Sequence, residues 1–242
     1  MLLILLPAVH QGLFAQVKKG GLQGGMALKY IVKEPAVVTA NTPVIILLHG
    51  VGSNEQDLFS LAGQLPPQAI VISARGPITL KENAFGWYHL KFATGAPDIN
   101  PGEALQSRDL IVQFIGQIAK KYNTGVSHIY LMGFSQGAIM SYYVALTQPG
   151  KLKGIVALSG RLLDEVKPKT AAKDKLTSLS VFMAHGNNDK VLNVQYSRDA
   201  DKYIKKEGIN NAYNEYPMGH EISPAEIKDI QKWFANEFLG KK

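Results

Sequence analysis

The chain has 242 residues, of which 46% are hydrophobic, so it is long enough for a buried core and too apolar for an intrinsically disordered protein. The formal net charge is +7, but the basic residues are scattered and no aromatic residues are interleaved with them, which argues against a nucleic-acid partner. The absence of cysteine excludes a thiol nucleophile, disulfides and cysteine-ligated metal.

The first fifteen positions form an apolar segment. Residues 1–15 read MLLILLPAVHQGLFA, without a formal charge, and the run is too short to cross a bilayer as a helix. It is typical of the apolar core of a secretory signal with Ala15 before the cleavage point, and the alternative is an apolar arm packed on the domain. We therefore expect a signal peptide over 1–15, a flexible leader over 16–27 and a single domain over 28–242. A signal implies a periplasmic or secreted protein without an integral membrane segment in its mature form, and an N-terminal arm implies a cytoplasmic one.

Apolar, β-rich runs alternate with longer amphipathic stretches along the rest of the chain. This pattern is typical of a mainly parallel sheet covered by helices. The predicted strands are, in chain order, residues 28–33, 44–48, 69–73, 128–132, 154–158, 180–184 and 212–216. The run VIILL at 44–48 is continuously apolar, which indicates a central strand buried on both faces. The predicted fold class is therefore α/β, with helices on both faces of the sheet.

Helical patterns lie between these strands. One follows Ser107, which is placed to cap it, and others are predicted at 136–147 and 194–207. The last helix has the clearest start, because Ser223 and Glu226 match a capping box before an apolar stripe.

Two stretches, residues 75–102 and 161–177, lack a regular pattern. Long irregular segments are often lids or binding loops, and open α/β sheets bind ligands at the carboxyl ends of their strands. The first stretch has an aromatic cluster, and we expect one or two of its rings to line an apolar substrate cleft. The cluster comprises Phe85, Trp87, Tyr88 and Phe92.

The sequence Gly133-Phe134-Ser135-Gln136-Gly137 matches G-x-S-x-G between a predicted strand and a predicted helix. In that context the serine occupies a strained turn, which is permitted only where close neighbours lack side chains. Gly133 and Gly137 meet this requirement. The turn also places Ser135 at a helix N-terminus, where backbone N–H groups favour a developing anion. We therefore predict that Ser135 is a catalytic nucleophile.

A serine nucleophile needs a base and an acid, which follow it along the chain in the order acid, then histidine. His220 lies after the last predicted strand and is the predicted base. His185 ends a strand before a glycine, which favours a structural turn residue. Asp189 follows strand 180–184 and is the predicted acid, because it lies one βα unit before the His220 loop. The rival carboxylates are Asp164, Asp174, Asp199 and Asp201.

The transition state also needs donors for its oxyanion. One is predicted to be the N–H of Gln136, directly after the nucleophile, and the second the N–H of Val51 in the loop HGVGSN that follows strand 44–48. No Gly-Lys-Ser/Thr follows that loop, which argues against a phosphate-binding loop. No metal-binding motif is present, and we expect no cofactor.

Four ordered segments, LLHGVGSNEQDL, GFSQGAIM, HGNNDKV and GHEISPAEIKDIQKWF, resemble the phospholipase/carboxylesterase family of α/β-hydrolases. That family includes bacterial carboxylesterases and acyl-protein thioesterases. The resemblance spans residues 43–238 and implies an α/β-hydrolase fold with little or no cap domain. It also implies the same roles for the predicted nucleophile, acid, base and oxyanion donors.

Gly86-Trp87-Tyr88 resembles the family's aromatic motif beside the acyl pocket, so Phe85, Trp87 and Tyr88 are the predicted substrate-binding residues. His89 stands where the family often has aspartate, and this departure means that the family's substrate preference is not carried over.

These features predict a serine carboxylic-ester hydrolase that forms an acyl-enzyme with short- to medium-chain esters, including lysophospholipids or thioesters. Its partner would be a small-molecule ester or lipid-like substrate, and the sequence predicts no particular oligomeric state. Two alternatives remain open: a catalytically idle α/β-hydrolase used for binding, and a serine peptidase on the same fold. The intact catalytic set argues against the first, and the lack of room for an extra domain argues against the second.

Overall fold

The computed structural model describes residues 20–91 and 98–240. The predicted signal peptide, the first part of the predicted leader and Phe92 lie outside the described residues. Within the part that is described, no helix is long and apolar enough to cross a membrane.

A seven-stranded sheet forms the centre of the fold. In chain order the strands of the described chain are β1 (Tyr30–Lys33), β2 (Val44–Leu48), β3 (Ile70–Ala74), β4 (Ile78–Lys81), β5 (Ala84–Gly86), β6 (Leu90–Lys91), β7 (Asp98–Ile99), β8 (Ile129–Phe134), β9 (Gly154–Leu158), β10 (Ser180–Gly186) and β11 (Asn210–Tyr216). The sheet order is β1-β3-β2-β8-β9-β10-β11, and only the β1–β3 pair is antiparallel. The carboxyl ends of the six parallel strands therefore meet at one edge, where open α/β sheets bind ligands.

Helices cover both faces of this sheet. They are α1 (Glu55–Phe59), α2 (Pro101–Tyr122), α3 (Gln136–Thr147), α4 (Lys173–Leu176), α5 (Gln195–Lys206) and α6 (Pro224–Phe238). Apolar residues of α2, α3, α4 and α5 pack in one core, and those of α1 and α6 pack in the other. The predicted α/β class is therefore confirmed.

Strand β2 illustrates why the sequence folds this way. Successive side chains of a strand point to opposite faces, and β2 alternates between the two cores. Ile46 and Leu48 enter the first core, Ile45 and Leu47 enter the second, and all four have 0% exposure. A strand buried on both faces must be apolar at every position, which is the pattern in VIILL.

The stretch 75–102, predicted to be irregular, contains two antiparallel hairpins, β4–β5 and β6–β7, and the start of α2. The predicted cap of this helix is wrong. Helix α2 begins at Pro101, and its N-cap is Asn100, whose side chain accepts the N–H groups of Gly102 and Glu103. Ser107 lies inside the helix, where its hydroxyl donates to the carbonyl of Trp87. The apolar stripe of α2 begins well after the first residue of the helix. The pair Asn100-Pro101 is therefore the better signal for where α2 begins.

Residues 20–27, which the glycine-rich sequence assigns to a flexible leader, contact the domain. Gln23 and Tyr30 exchange backbone hydrogen bonds of 2.7 and 3.1 Å, and the N–H of Ala27 donates to the side chain of Gln117 at 2.8 Å. The described part of the predicted leader is thus held against β1 and α2, and we correct the prediction for these residues.

The start of α6 contains a buried carboxyl group. Ser223 and Glu226 form the predicted capping box, in which each side chain accepts the other residue's N–H at 3.2 Å. The Glu226 side chain is completely buried, and its Oε1 has no hydrogen-bond partner within the described residues. Burial raises the pKa of Glu226 to about 7, although the N–H of Ser223 lowers it in part. The carboxyl is therefore neutral in mildly acidic solution.

We expect Glu226→Gln to raise the free energy of unfolding by about 1–3 kcal/mol near pH 8 and to change it little near pH 4.5. An unfolded Glu ionises at lower pH than the folded one, so the wild-type protein loses stability as pH rises from about 4.5 to 7. Glutamine keeps the capping acceptor and never ionises. Urea unfolding at both pH values measures the difference, with the exposed Glu221→Gln as control. Identical pH dependence in the wild type and the Glu226 variant would contradict this prediction.

Candidate active site

Ser135 lies on the turn between β8 and α3. Its backbone has φ 53° and ψ −115°, a conformation that residues with side chains rarely adopt. Its N–H donates to the carbonyl of Leu158 in the neighbouring strand at 2.8 Å, which holds the turn against the sheet. The serine is 8% exposed. The strained turn thus presents its hydroxyl at the carboxyl edge of the sheet.

The two glycines of the motif allow this turn to form. A Cβ built on Gly137 would lie 1.9 Å from the carbonyl oxygen of Leu48, and one on Gly133 would lie 2.2 Å from the carbonyl oxygen of Gly137. Both distances are far inside van der Waals contact, and both neighbours are backbone atoms. Only glycine fits at positions 133 and 137, as the G-x-S-x-G pattern predicts.

The structure brings Ser135, His220 and Asp189 into one hydrogen-bonded chain. The Nε2 atom of His220 lies 2.9 Å from Ser135 Oγ, and its Nδ1 atom lies 2.6 Å from Asp189 Oδ2. An ionised carboxylate only accepts hydrogen bonds, so Nδ1 carries the ring proton and Nε2 accepts the serine hydroxyl. The ring of Phe134 packs against His220 with 4.9 Å between centroids, and this contact restricts the imidazole further.

The Asp189 carboxylate is buried and saturated with hydrogen bonds. Its side chain has 0% exposure, and Oδ1 accepts the N–H groups of Val191 and Leu192, each at 2.8 Å. The four rival carboxylates instead pair with lysines, in the pairs Asp164–Lys167, Asp174–Lys175, Asp199–Lys202 and Asp201–Lys205. Among these five carboxylates, only Asp189 contacts His220 within the described residues.

The loop after β2 lies against the turn that carries Ser135. A Cβ built on Gly50 would lie 3.5 Å from the Cβ of Ser135. Within the described residues, the N–H of Val51 and the N–H of Gln136 have no hydrogen-bond partner. The loop after β2 and the first turn of α3 thus each carry an N–H group without a partner, on the two segments that meet at Ser135.

His49 sets the orientation of this loop, a role that the sequence motifs do not predict. Its Nε2 accepts the N–H of Gly76 at 2.9 Å, so the neutral ring carries its proton on Nδ1 and donates to the carbonyl of Gly50 at 2.7 Å. Burial lowers the pKa of His49, which favours this neutral form. Carbonyl and N–H point in opposite directions across a trans peptide, so the N–H of Val51 points away from the His49 ring.

The side chain of Gln136 joins the turn to the aromatic segment. Its Oε1 accepts the N–H of Trp87 and its Nε2 donates to the carbonyl of Tyr88, both at 2.8 Å, while the Trp87 indole donates to the carbonyl of His49 at 2.9 Å. The sequence motif predicts a role only for the backbone N–H of Gln136. A buried amide in an apolar helix needs partners, and that requirement was the available signal.

The predicted substrate-binding role of Trp87 and Tyr88 needs correction. Trp87 and Tyr88 have 0% exposure, and Phe85, which is 9% exposed, lies beneath the Arg75 guanidinium at 4.4 Å. The Trp87 and Tyr88 rings belong to the core that also contains the apolar side chains of α3, as is usual where a segment packs over a sheet. The Trp87 and Tyr88 rings therefore do not line an open cleft, whereas Phe85 borders a cavity beside Arg75 and Pro77.

The family model described as phospholipase/carboxylesterase matches residues 31–237. Acyl-protein thioesterase 1 homolog 1 of Dictyostelium discoideum is 27% identical over 229 residues, covering 88% of this chain and 96% of the relative. Acyl-protein thioesterase 1 of Neurospora crassa is 28% identical over 221 residues, covering 84% and 90%. Among solved structures, the carboxylesterase from Mesorhizobium loti has a TM-score of 0.76 at 22% identity, covering 90% of this chain and 99% of that one.

The chain therefore belongs to the phospholipase/carboxylesterase family of α/β-hydrolases, and the resemblance stated from its motifs is confirmed. It is an esterase- or thioesterase-type hydrolase.

Proposed function

We propose that the chain is a serine hydrolase that cleaves carboxylic esters or thioesters through an acyl-enzyme on Ser135. The observation that carries this proposal is the hydrogen-bonded order of Ser135, His220 and Asp189, with distances of 2.9 and 2.6 Å. A base in contact with a serine hydroxyl, and itself oriented by a carboxylate, activates the hydroxyl as a nucleophile. The names of the thioesterase relatives support the same kinds of scissile bond.

In the acylation step, Ser135 Oγ attacks the substrate carbonyl while His220 Nε2 accepts the hydroxyl proton. Asp189 accepts the Nδ1 hydrogen bond and stabilises the imidazolium that forms. The carbonyl oxygen becomes an oxyanion, which the N–H groups of Val51 and Gln136 stabilise. The bond to the leaving alcohol or thiol then breaks, and His220 returns the proton to that leaving group.

Deacylation repeats the same proton transfers with water. A water molecule gives a proton to His220 Nε2 and attacks the acyl carbon, and the tetrahedral intermediate is again stabilised by the two N–H groups. The bond to Ser135 Oγ breaks, the serine recovers its proton from His220, and the carboxylic acid leaves. The histidine thus acts as base and then acid in each half of the cycle.

We further propose that acyl chains of short to medium length fit best. Two observations support this. Within the described residues, the additions at the carboxyl edge are the hairpins β4–β5 and β6–β7 and the connection between β9 and β10, which carries one 3-10 turn and the four-residue helix α4. The large rings of that region, Trp87 and Tyr88, are buried in packing rather than free to enclose a long tail.

A series of p-nitrophenyl esters tests this substrate range. We expect kcat/KM to be higher for butyrate and octanoate than for palmitate, because each methylene adds at most about 1–3 kcal/mol and only while it contacts protein. An octanoyl thioester should also be cleaved, and a p-nitroanilide peptide should be cleaved far more slowly. A maximum at palmitate would contradict the proposed size limit, and preferential cleavage of the peptide would favour a serine peptidase.

A further inference from the structure

His185, at the carboxyl end of β10, is a second completely buried histidine beside the site. Its Nε2 lies 2.7 Å from the carbonyl oxygen of Leu192, which only accepts, so Nε2 carries the ring proton. Its Nδ1 lies 2.6 Å from Ser197 Oγ, whereas that hydroxyl lies 3.3 Å from the carbonyl of Gly160. The shorter contact indicates that Ser197 donates to Nδ1. Burial lowers the pKa of His185, although Leu192 and Asp189 raise it in part, and the neutral ring is favoured.

The same Nε2 atom also lies beside the carboxylate of Asp189. It lies 3.2 Å from Asp189 Oδ2, the oxygen that accepts the His220 hydrogen bond at 2.6 Å. The backbone of Leu192 connects the two side chains. Its N–H donates to Asp189 Oδ1, and its carbonyl accepts the hydrogen bond from His185 Nε2. His185 therefore contacts the carboxylate and is hydrogen-bonded to the backbone segment that donates to it.

We propose that His185 is a positioning residue, whose Nε2–H, fixed on that nitrogen by Ser197, keeps Asp189 oriented toward His220. The inference rests on the proposed function. The sequence favours a structural turn residue at this position, but the ring belongs to a strand end and contacts the catalytic network. Because His185 acts through Asp189 and contacts no reacting atom, its loss should lower kcat and leave KM nearly unchanged.

Two matched variants separate this role from simple packing. Glutamine places its Nε2 near the position of the histidine Nε2 and keeps a donor for Leu192 and Asp189. Asparagine keeps an acceptor for Ser197 but has no group at that position. With p-nitrophenyl butyrate, we expect His185→Asn to lower kcat by about 10–100-fold and His185→Gln to recover most of this loss. His128→Asn, at the opposite end of the sheet, is the control and should keep wild-type kcat.

Every rate is expressed per folded active site, with folding followed by circular dichroism, and Ser135→Ala is assayed in parallel. Equal losses in the asparagine and glutamine variants, or wild-type kcat in both, would overturn the positioning role. If His185→Asn does not fold, Ser197→Ala decides: a lower kcat at constant KM supports the inference, and an unchanged kcat overturns it. An active Ser135→Ala variant would instead refute the proposed nucleophile, so the two failures are distinguishable.

Discussion

Ser135→Ala is expected to lower kcat for p-nitrophenyl butyrate by about 10⁴-fold or more, without loss of the fold. The variant removes the only atom that can form the proposed acyl-enzyme, while the oxyanion donors and the substrate site remain. Residual turnover should be close to the rate that binding and the oxyanion site alone support. Steady-state kinetics on purified protein, with thermal unfolding as a check of the fold, measures this result.

Ser159→Ala is the matched control for this prediction. Ser159 is also a buried serine at the carboxyl edge of the sheet, and its φ of 48° resembles the 53° of Ser135. Its hydroxyl has no hydrogen-bond partner within the described chain. The control should keep most of the activity. Near-normal activity in Ser135→Ala, or a loss as large in Ser159→Ala, would contradict the assignment of the nucleophile.

Asp189→Asn is expected to lower kcat by about 10⁴-fold, the size of this change in the catalytic triad of a serine protease. The carboxylate accepts the His220 Nδ1 proton at 2.6 Å, whereas an amide nitrogen turned toward the ring would donate. The imidazole would then carry its proton on Nε2 and could not accept the proton of Ser135. The same ester assay measures the loss.

Asp164→Asn provides the comparison, because the Asp164 side chain is 88% exposed and pairs with Lys167. It should retain wild-type kcat. If Asp164→Asn were the more damaging change, the acid of the site would be misassigned despite the contact between Asp189 and His220.

The sequence predicted the parts of the fold that depend on local rules. Strand β2 was predictable because burial on both faces requires an unbroken apolar run. The start of α6 was predictable because the Ser223–Glu226 capping box is a short-range pattern. The turn at Ser135 was predictable because Gly133 and Gly137 are needed for close backbone contacts.

The sequence did not predict side-chain roles that depend on contacts between distant parts of the chain. Whether Trp87 lines a cleft or fills a core depends on Gln136 and His49, which lie 49 and 38 residues away along the chain. The local sequence predicts a turn residue at His185. Its contact with the carboxylate of Asp189 is not visible in that sequence, because it depends on how the loop after β10 folds back. The two histidines share a signal in the sequence. His49-Gly50 directly follows the buried strand β2 and His185-Gly186 ends the buried strand β10, and a buried histidine must find partners for both ring nitrogens.

Labelling with a fluorophosphonate followed by peptide mapping tests the central claim most directly. The reagent forms a stable covalent bond only with a serine that a neighbouring base activates. We predict one label per chain, located on Ser135 in the segment GFSQGAIM, with labelling abolished in Ser135→Ala and strongly slowed in Asp189→Asn. A label on a different serine, or no label on folded protein that still hydrolyses esters, would contradict the claim that Ser135 is the activated nucleophile.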